Sequence, residues 1–215
     1  MAAPGDAPRI RCFTPLRTRL FRRALARALA GCRSVLDVGC GAGSPLADFA
    51  AGRFTVGVDL SMPDLAAARR AGTHAALVRA DARALAAVFR PASVDAVVAL
   101  DLIEHLERAE ALALLDALAR VARRRVVVFT PNGFVPQPPA PENPHQAHRS
   151  GFDVAELRAR GFRVRGMLGL RPLLGPFAEP RWRPAVLWRR AADATAPLVH
   201  FAPRVAFALL AVKDV

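Results

Sequence analysis

In VLDVGCGAGSPL, residues 35–46, an apolar strand ends at Val38 and glycines follow at alternate positions, Gly39, Gly41 and Gly43, before a helix opens near Pro45. A turn this rich in glycine lets backbone approach a ligand closely, in the crevice at the carboxyl ends of parallel strands. The spacing differs from the GxGxxG turn that cradles a pyrophosphate, and Asp37 sits inside the strand just before it. A carboxylate there disfavours phosphate and suits a cationic ligand. GVDLS places Asp59 at the end of the next strand, where a carboxylate can accept two ribose hydroxyls. RADARAL places Asp81 after the third strand, within reach of an adenine amino group.

Two further groups could act on a bound molecule. ALDLIEHLER brings Asp101 and His105 to the exit of the fourth strand. His105 has an ordinary pKa close to physiological pH, which suits a general base, although a residue at a helix start can equally serve packing or capping. The second group is the loop TPNGFVPQPPAPENPHQAHRSGF, residues 130–152. It holds every amide side chain of the protein, Asn132, Gln137, Asn143 and Gln146, together with His145 and His148. Amides offer donors and acceptors that alanine and arginine cannot, though Asn and Gln also favour plain polar turns. His145 and His148 have i, i+3 spacing, but no carboxylate cluster accompanies them and the cysteines Cys12, Cys32 and Cys40 form no CxxC pair. No metal site is expected.

The elements that must position these groups alternate along the chain: SVLDV, FTVGV, AALVR, VDAVVAL and RVVVFT read as short apolar strands, separated by amphipathic helices. Such alternation implies right-handed crossovers and an α/β, doubly wound, mostly parallel sheet with helices on both faces. After the loop, Asp153 and Glu156 have capping-box spacing for another helix, and Gly161 ends it. The opening FTPLRTRLFRRALARALAG reads as a basic amphipathic helix with Thr14 as N-cap, Pro15 at N1 and Gly31 closing it. Leu16, Leu20, Leu25 and Leu29 fall near one face.

At this point the chain resembles the class I S-adenosylmethionine (SAM)-dependent methyltransferases over residues 34–161. The resemblance implies that Asp37, Gly39, Cys40, Gly41 and Gly43 face the methionine portion of SAM, that Asp59 with Leu60 binds the ribose, and that Asp81 with Ala82 flanks the adenine. It implies seven strands in the order 3-2-1-4-5-7-6 with the last antiparallel, and it places Asp101 and His105 near the transferred methyl. ENPHQAHRSGF resembles a stretch that follows TPNG in small-molecule, type 11-like members. Read that way, His145 and His148 join His105 as catalytic candidates, and Asn132, Asn143, Gln146 and Arg149 contact the substrate. The acid-or-Asn-PP-aromatic motif of nucleic-acid amino methyltransferases is absent, as is the PC motif of cytosine C5 enzymes. The Asp-Asn pair of magnesium-dependent catechol-type enzymes is replaced by Pro131-Asn132.

The expected activity is SAM-dependent methylation of a small or lipophilic molecule, most simply at oxygen, with S-adenosylhomocysteine as product. Alternatives are an RNA-modifying methyltransferase and a SAM-binding protein with another reaction. The formal charge of +13 is concentrated at the ends: 8 basic and 3 acidic residues in 1–50, 12 and 10 in 51–150, and 11 and 5 in 151–215. Of 31 basic residues only Lys213 is lysine, which reads as a coding bias toward arginine and makes nucleic acid an improbable partner. The positive field still suits peripheral contact with an anionic membrane surface. Neither a signal peptide nor a membrane span is evident, and unpaired cysteines fit the cytoplasm. Residues 1–33 are read as a basic helical segment and 34–169 as the cofactor-binding core with a substrate loop at 131–152. Residues 170–215 are read as an irregular Arg/Pro/Trp-bearing segment whose final strand completes the same domain.

Overall fold

Short runs of β-branched and small apolar residues form seven strands: β1 (Ser34–Val38), β2 (Phe54–Asp59), β3 (Ala76–Arg79), β4 (Val94–Leu100), β5 (Ala122–Pro131), β6 (Arg163–Leu170) and β7 (Ala206–Asp214). They make one sheet in the order β3-β2-β1-β4-β5-β7-β6. The first five strands pair in parallel, and β7 lies antiparallel between β5 and β6. The computed structural model describes residues 14–139 and 146–215. Asn143 and His145 lie outside the described residues.

Side chains alternate across the sheet, so each central strand feeds two cores. Leu36, Val38, Val97, Ala99, Val126 and Val128 point to one face, where α4 (Arg108–Val121) brings Leu114, Leu115 and Leu118 and α5 (Val154–Ala159) brings Leu157. Val35, Ala96, Val98, Val127 and Phe129 point to the other, against Phe21 and Leu25 of α1 (Pro15–Ala28). Each valine, leucine or phenylalanine among them, taken fully out of water, contributes about 1.5–3 kcal/mol. The shorter helices α2 (Met62–Ala71) and α3 (Leu85–Val88) complete the crossovers.

Thr14 caps α1 as its type suggests, but the inward face is Arg17, Phe21, Leu25 and Ala28, while Leu16 is exposed. The reason is α6 (Ala185–Val199), a 15-residue helix within the segment expected to be irregular. Its start at cis-Pro184, its internal Pro197 and its arginines hide the helical period. Arg17 Nε lies 2.6 Å from Asp193 of α6, an ion pair in which the N–H is not aimed along the hydrogen-bond direction. Thr14 Oγ1 donates to the same carboxylate at 2.7 Å. α6 in turn lies close on β6 because a Cβ at Gly166 or Gly169 would overlap the carbonyl of Val199 or Ala192. Among the described residues no helix is long and apolar enough to cross a membrane.

Candidate functional site

The carboxyl ends of the parallel strands carry two adjoining cavities, of about 430 and 300 Å³. Gly39, Gly41, Asp101, His105 and Gln146 line both and so mark their junction. Every predicted site residue that the structure describes lines one or both, except Asn132.

The glycine turn is built by the neighbouring strand. Gly39 and Cys40 donate to the carbonyl of Val58 at 2.8 and 3.0 Å. Gly41 N–H donates to Asp59 Oδ2 at 2.8 Å, and Ser61 N–H to Asp59 Oδ1 at 2.8 Å. Asp59 thus holds the turn as well as facing the smaller cavity. Burial pushes its pKa up, against the backbone N–H groups of Ser61, Gly41 and Leu60 that pull it down. Gly41 has φ +55°, and nothing lies within 4 Å of where a Cβ would stand, so the turn is open toward the cavities. The helix expected at Pro45 is a single 3₁₀ segment, Pro45–Phe49, capped by Ser44. Burial and the charges of Asp37 and Asp59 raise the Cys40 thiol far above its usual pKa, so it stays protonated and is no nucleophile.

Asp37 is 1% exposed and accepts a hydrogen bond from His74 Nε2 at 3.0 Å, while His74 Nδ1 meets Thr73 Oγ1 at 2.8 Å. His74 was invisible to motif reading, since nothing in THAALVR reveals that β3 starts beside β2 with its histidine turned beneath the turn. Asp81 lines the smaller cavity with Leu60 and Ala82, and pairs with Arg83 at 2.6 Å.

At the exit of β4 the chain turns through Asp101, a non-glycine residue at φ +52° whose N–H is held by Phe129 O at 2.9 Å. Asp101 opens onto both cavities, and its carboxyl is in hydrogen-bond contact with Glu104, which is 1% exposed. Desolvation raises both pKa values, and for Glu104 the charge of Asp101 adds to the effect. Glu104 was missed by sequence reading because IEHLER looks like the solvated start of a helix. Its Oε2 accepts from Thr130 Oγ1 at 3.0 Å.

The returning end of the loop is pinned to this turn. Arg149 and Ser150 N–H donate to Glu104 O at 2.8 and 3.1 Å, and Ser150 Oγ donates to Ile103 O at 3.2 Å. His148 therefore stands beside His105, rings 5.0 Å apart. His105 Nδ1 meets Ala147 O at 3.2 Å, and His148 Nδ1 meets Val135 O at 2.7 Å. Burial lowers both pKa values, that of His105 to about 4. One ligand atom each from Glu104, His105 and His148 lie within 4.8 Å of one another. Gln146 and Arg149 also face the cavities. Asn132 does not: its Nδ2 donates to the carbonyls of Pro203, Arg204 and Ala206 at 3.2, 3.1 and 2.9 Å, stapling the start of β7. The expectation that it contacts substrate is corrected, because its donors are spent on backbone.

Residues 35–125 match the family model described as a methyltransferase domain. No curated protein matches the chain. Among solved structures, an S-adenosylmethionine-dependent methyltransferase from Mesorhizobium loti is 19% identical with a TM-score of 0.59, covering 91% of this chain and 96% of that one. A SAM-dependent methyltransferase from Archaeoglobus fulgidus is 18% identical with a TM-score of 0.56, over 92% and 94%. Magnesium protoporphyrin IX methyltransferase (ChlM) from Synechocystis PCC 6803 with bound SAM is 21% identical with a TM-score of 0.54, over 98% and 86%. At such identities these neighbours speak for the fold. The family match marks residues 35–125, with the glycine turn and the strands that lead to Asp59 and Asp101, as a methyltransferase domain, and the sheet has the strand order of the class I SAM-dependent fold.

Proposed function

We propose that this enzyme methylates an oxygen of a small lipophilic molecule, and that the acceptor occupies the larger cavity while SAM occupies the smaller one and reaches across the junction. The observation that carries this reading is the pair of adjoining cavities with unlike walls. The smaller has Asp59 and Asp81. The larger has Phe21, Leu100, Phe129, Leu168 and Phe207, together with polar groups that include Asp101, His105 and His148. Apolar walls with a few convergent polar groups suit a lipophilic ligand held in one orientation.

The residues present fit SAM. The space beside Gly41 admits a ligand against backbone, and two carboxylates on successive strand ends suit a ribose diol and an exocyclic amine. When bound, SAM supplies a methyl group on a cationic sulfur. The chain's part is to hold the acceptor oxygen in line and to remove its proton. Asp101, an acid at the exit of β4 that lines both cavities, is placed to receive it, with the His105 and His148 rings on the wall of the larger one.

Labelled methyl transfer from SAM to a panel of lipophilic alcohols, phenols, carboxylic acids, amines and RNA tests this. Incorporation into the oxygen acceptors is expected; transfer confined to amines or RNA overturns it.

An anionic membrane surface is proposed as the place where such an acceptor is met, with the enzyme itself cytoplasmic. Support comes from Val186, Leu187, Leu198 and Phe201, exposed by 57–79% on and just after α6 near Arg183, Arg189 and Arg190, and from Phe177 at the cavity wall. Retention on anionic but not neutral liposomes at moderate salt is the expected result.

A further inference from the structure

We propose that Glu104, His105 and His148 bind one divalent transition-metal ion at the acceptor side of the junction. Sequence spacing pointed away from any metal, because only the i, i+3 pair His145 and His148 was in view. The fold assembles a different set, two residues from the turn after β4 and one from the far end of the loop, over 43 residues of chain.

Each donor is oriented. A carbonyl oxygen only accepts, so the Nδ1 atoms facing Ala147 O and Val135 O carry hydrogens and fix each ring, which makes Nε2 the atom a metal would take. Thr130 holds Glu104 by Oε2, and the same carboxyl touches that of Asp101. Metal-binding histidines and carboxylates are typically fixed by partners of this kind. The ligand atoms lie within 4.8 Å of one another, and an ion bonded to each at about 2.1 Å would draw them together by roughly an ångström, within the reach of side-chain rotation.

Asp101 stands beside this set with its carboxyl in contact with that of Glu104, and among the described residues neither forms an ion pair with any arginine or lysine. Arg149, the basic residue that follows His148, pairs instead with Glu107 at 3.5 Å. Two imidazoles with one carboxylate favour zinc, manganese, iron or cobalt over magnesium or calcium. Three protein ligands leave at least one coordination position open, and Glu104, His105 and His148 all line the larger cavity, so that position faces the acceptor. An acceptor hydroxyl or carboxylate oxygen would complete the coordination. The site stands on its own residues and does not depend on the acceptor being lipophilic.

The test is to strip the full chain with chelator and titrate it with Co²⁺, following visible ligand-field absorption and heat. SAM titration runs in parallel on every sample as the check on folding and on the cofactor reading. One equivalent of Co²⁺ should bind, Zn²⁺ should displace it, and Ca²⁺ should not. His148→Ala and Glu104→Gln should abolish the signal while SAM still binds. Thr130→Val, which leaves the ligands in place, should weaken Co²⁺ by about 10–100-fold. No binding by SAM-competent wild type overturns the proposal, as does binding unchanged in His148→Ala.

Discussion

Asp59 is the residue at which cofactor binding and local structure are most closely joined, and Asp59→Asn separates them. An ionised carboxylate has about four lone-pair sites. Gly41 and Ser61 N–H take two of them, one on each oxygen, at 2.8 Å. Leu60 N–H also approaches the carboxylate, which lines the smaller cavity and on the proposed reading accepts the two ribose hydroxyls there. A hydrogen bond to a charged group is worth about 1.5–3 kcal/mol. Losing both places the expected cost at about 3–6 kcal/mol, or roughly 10²–10⁴-fold in affinity at about 1.4 kcal/mol per decade. Asparagine keeps the size and one acceptor oxygen, but its NH₂ cannot accept from a backbone N–H, so one of the two turn bonds is also lost. Stability should therefore fall by about 1–3 kcal/mol.

The pH dependence gives a second check. Burial raises the Asp59 pKa in the folded chain, so the folded state takes up this proton more readily than the unfolded one. As pH falls through the raised value, SAM affinity should decline, while the contribution of Asp59 to stability should improve, because protonation relieves a buried charge. Isothermal titration of SAM and S-adenosylhomocysteine, paired with denaturant unfolding, reads both quantities. An Asp59→Asn variant that is folded and binds SAM as wild type does would refute the ribose assignment, leaving Asp59 as a staple for the glycine turn alone.

Three further substitutions test how the site is supported. Asn132→Ala should lower stability by about 1–3 kcal/mol by stranding three carbonyls, with SAM affinity unchanged; an altered acceptor KM with an intact unfolding midpoint would return Asn132 to the substrate. Asp95 accepts from Arg33 and Ser34 N–H and pairs with Arg123, which together hold its pKa down. Its stabilisation, about 1 kcal/mol for a partly exposed group, should be full above the ordinary carboxylate pKa and be lost as pH falls through the depressed one. The stability difference between wild type and Asp95→Asn should accordingly be flat near neutrality and shrink below about pH 4. Asp193→Ala leaves Arg17, 2% exposed, without its ion-pair partner. A loss approaching about 3–5 kcal/mol is expected in thermal or denaturant unfolding, and Arg17→Met on that background should recover much of it.

The sheet was legible because each central strand is a short apolar run bounded by glycine, aspartate or a charged helix start, and such runs have few other ways to be buried. The final strand could be placed from RVAFALLAV for the same reason. α6 was not legible. Its apolar positions are diluted by Trp188, Arg189, Arg190 and Pro197, and what makes it a helix against the sheet is on the other partner, in the missing side chains of Gly166 and Gly169. Leu16 was misplaced on the inner face of α1 for a related reason. The inward position went to Arg17, whose burial depends on Asp193, 176 residues further along the chain.

The site divides along the same line. Asp37, Asp59, Asp81 and Asp101 could be found because each ends or nearly ends a strand, and strand ends share one edge of a parallel sheet. Glu104 and His74 could not, since their importance comes from what lies over them. The loop's concentration of amides has a mixed meaning in the structure. Asn132 uses its amide to fasten β7, and Gln137 donates from Nε2 to Gln146 O at 3.0 Å, closing the loop on itself. Both are structural uses, yet they matter to chemistry: the same loop delivers His148 to within 5.0 Å of His105. A segment rich in proline and poor in regular hydrogen bonds needs such side-chain fastenings to hold one ring nitrogen in place. Composition could therefore point to the loop that lines the candidate site, while the placing of His148 beside His105 and Glu104 had to be read from the fold.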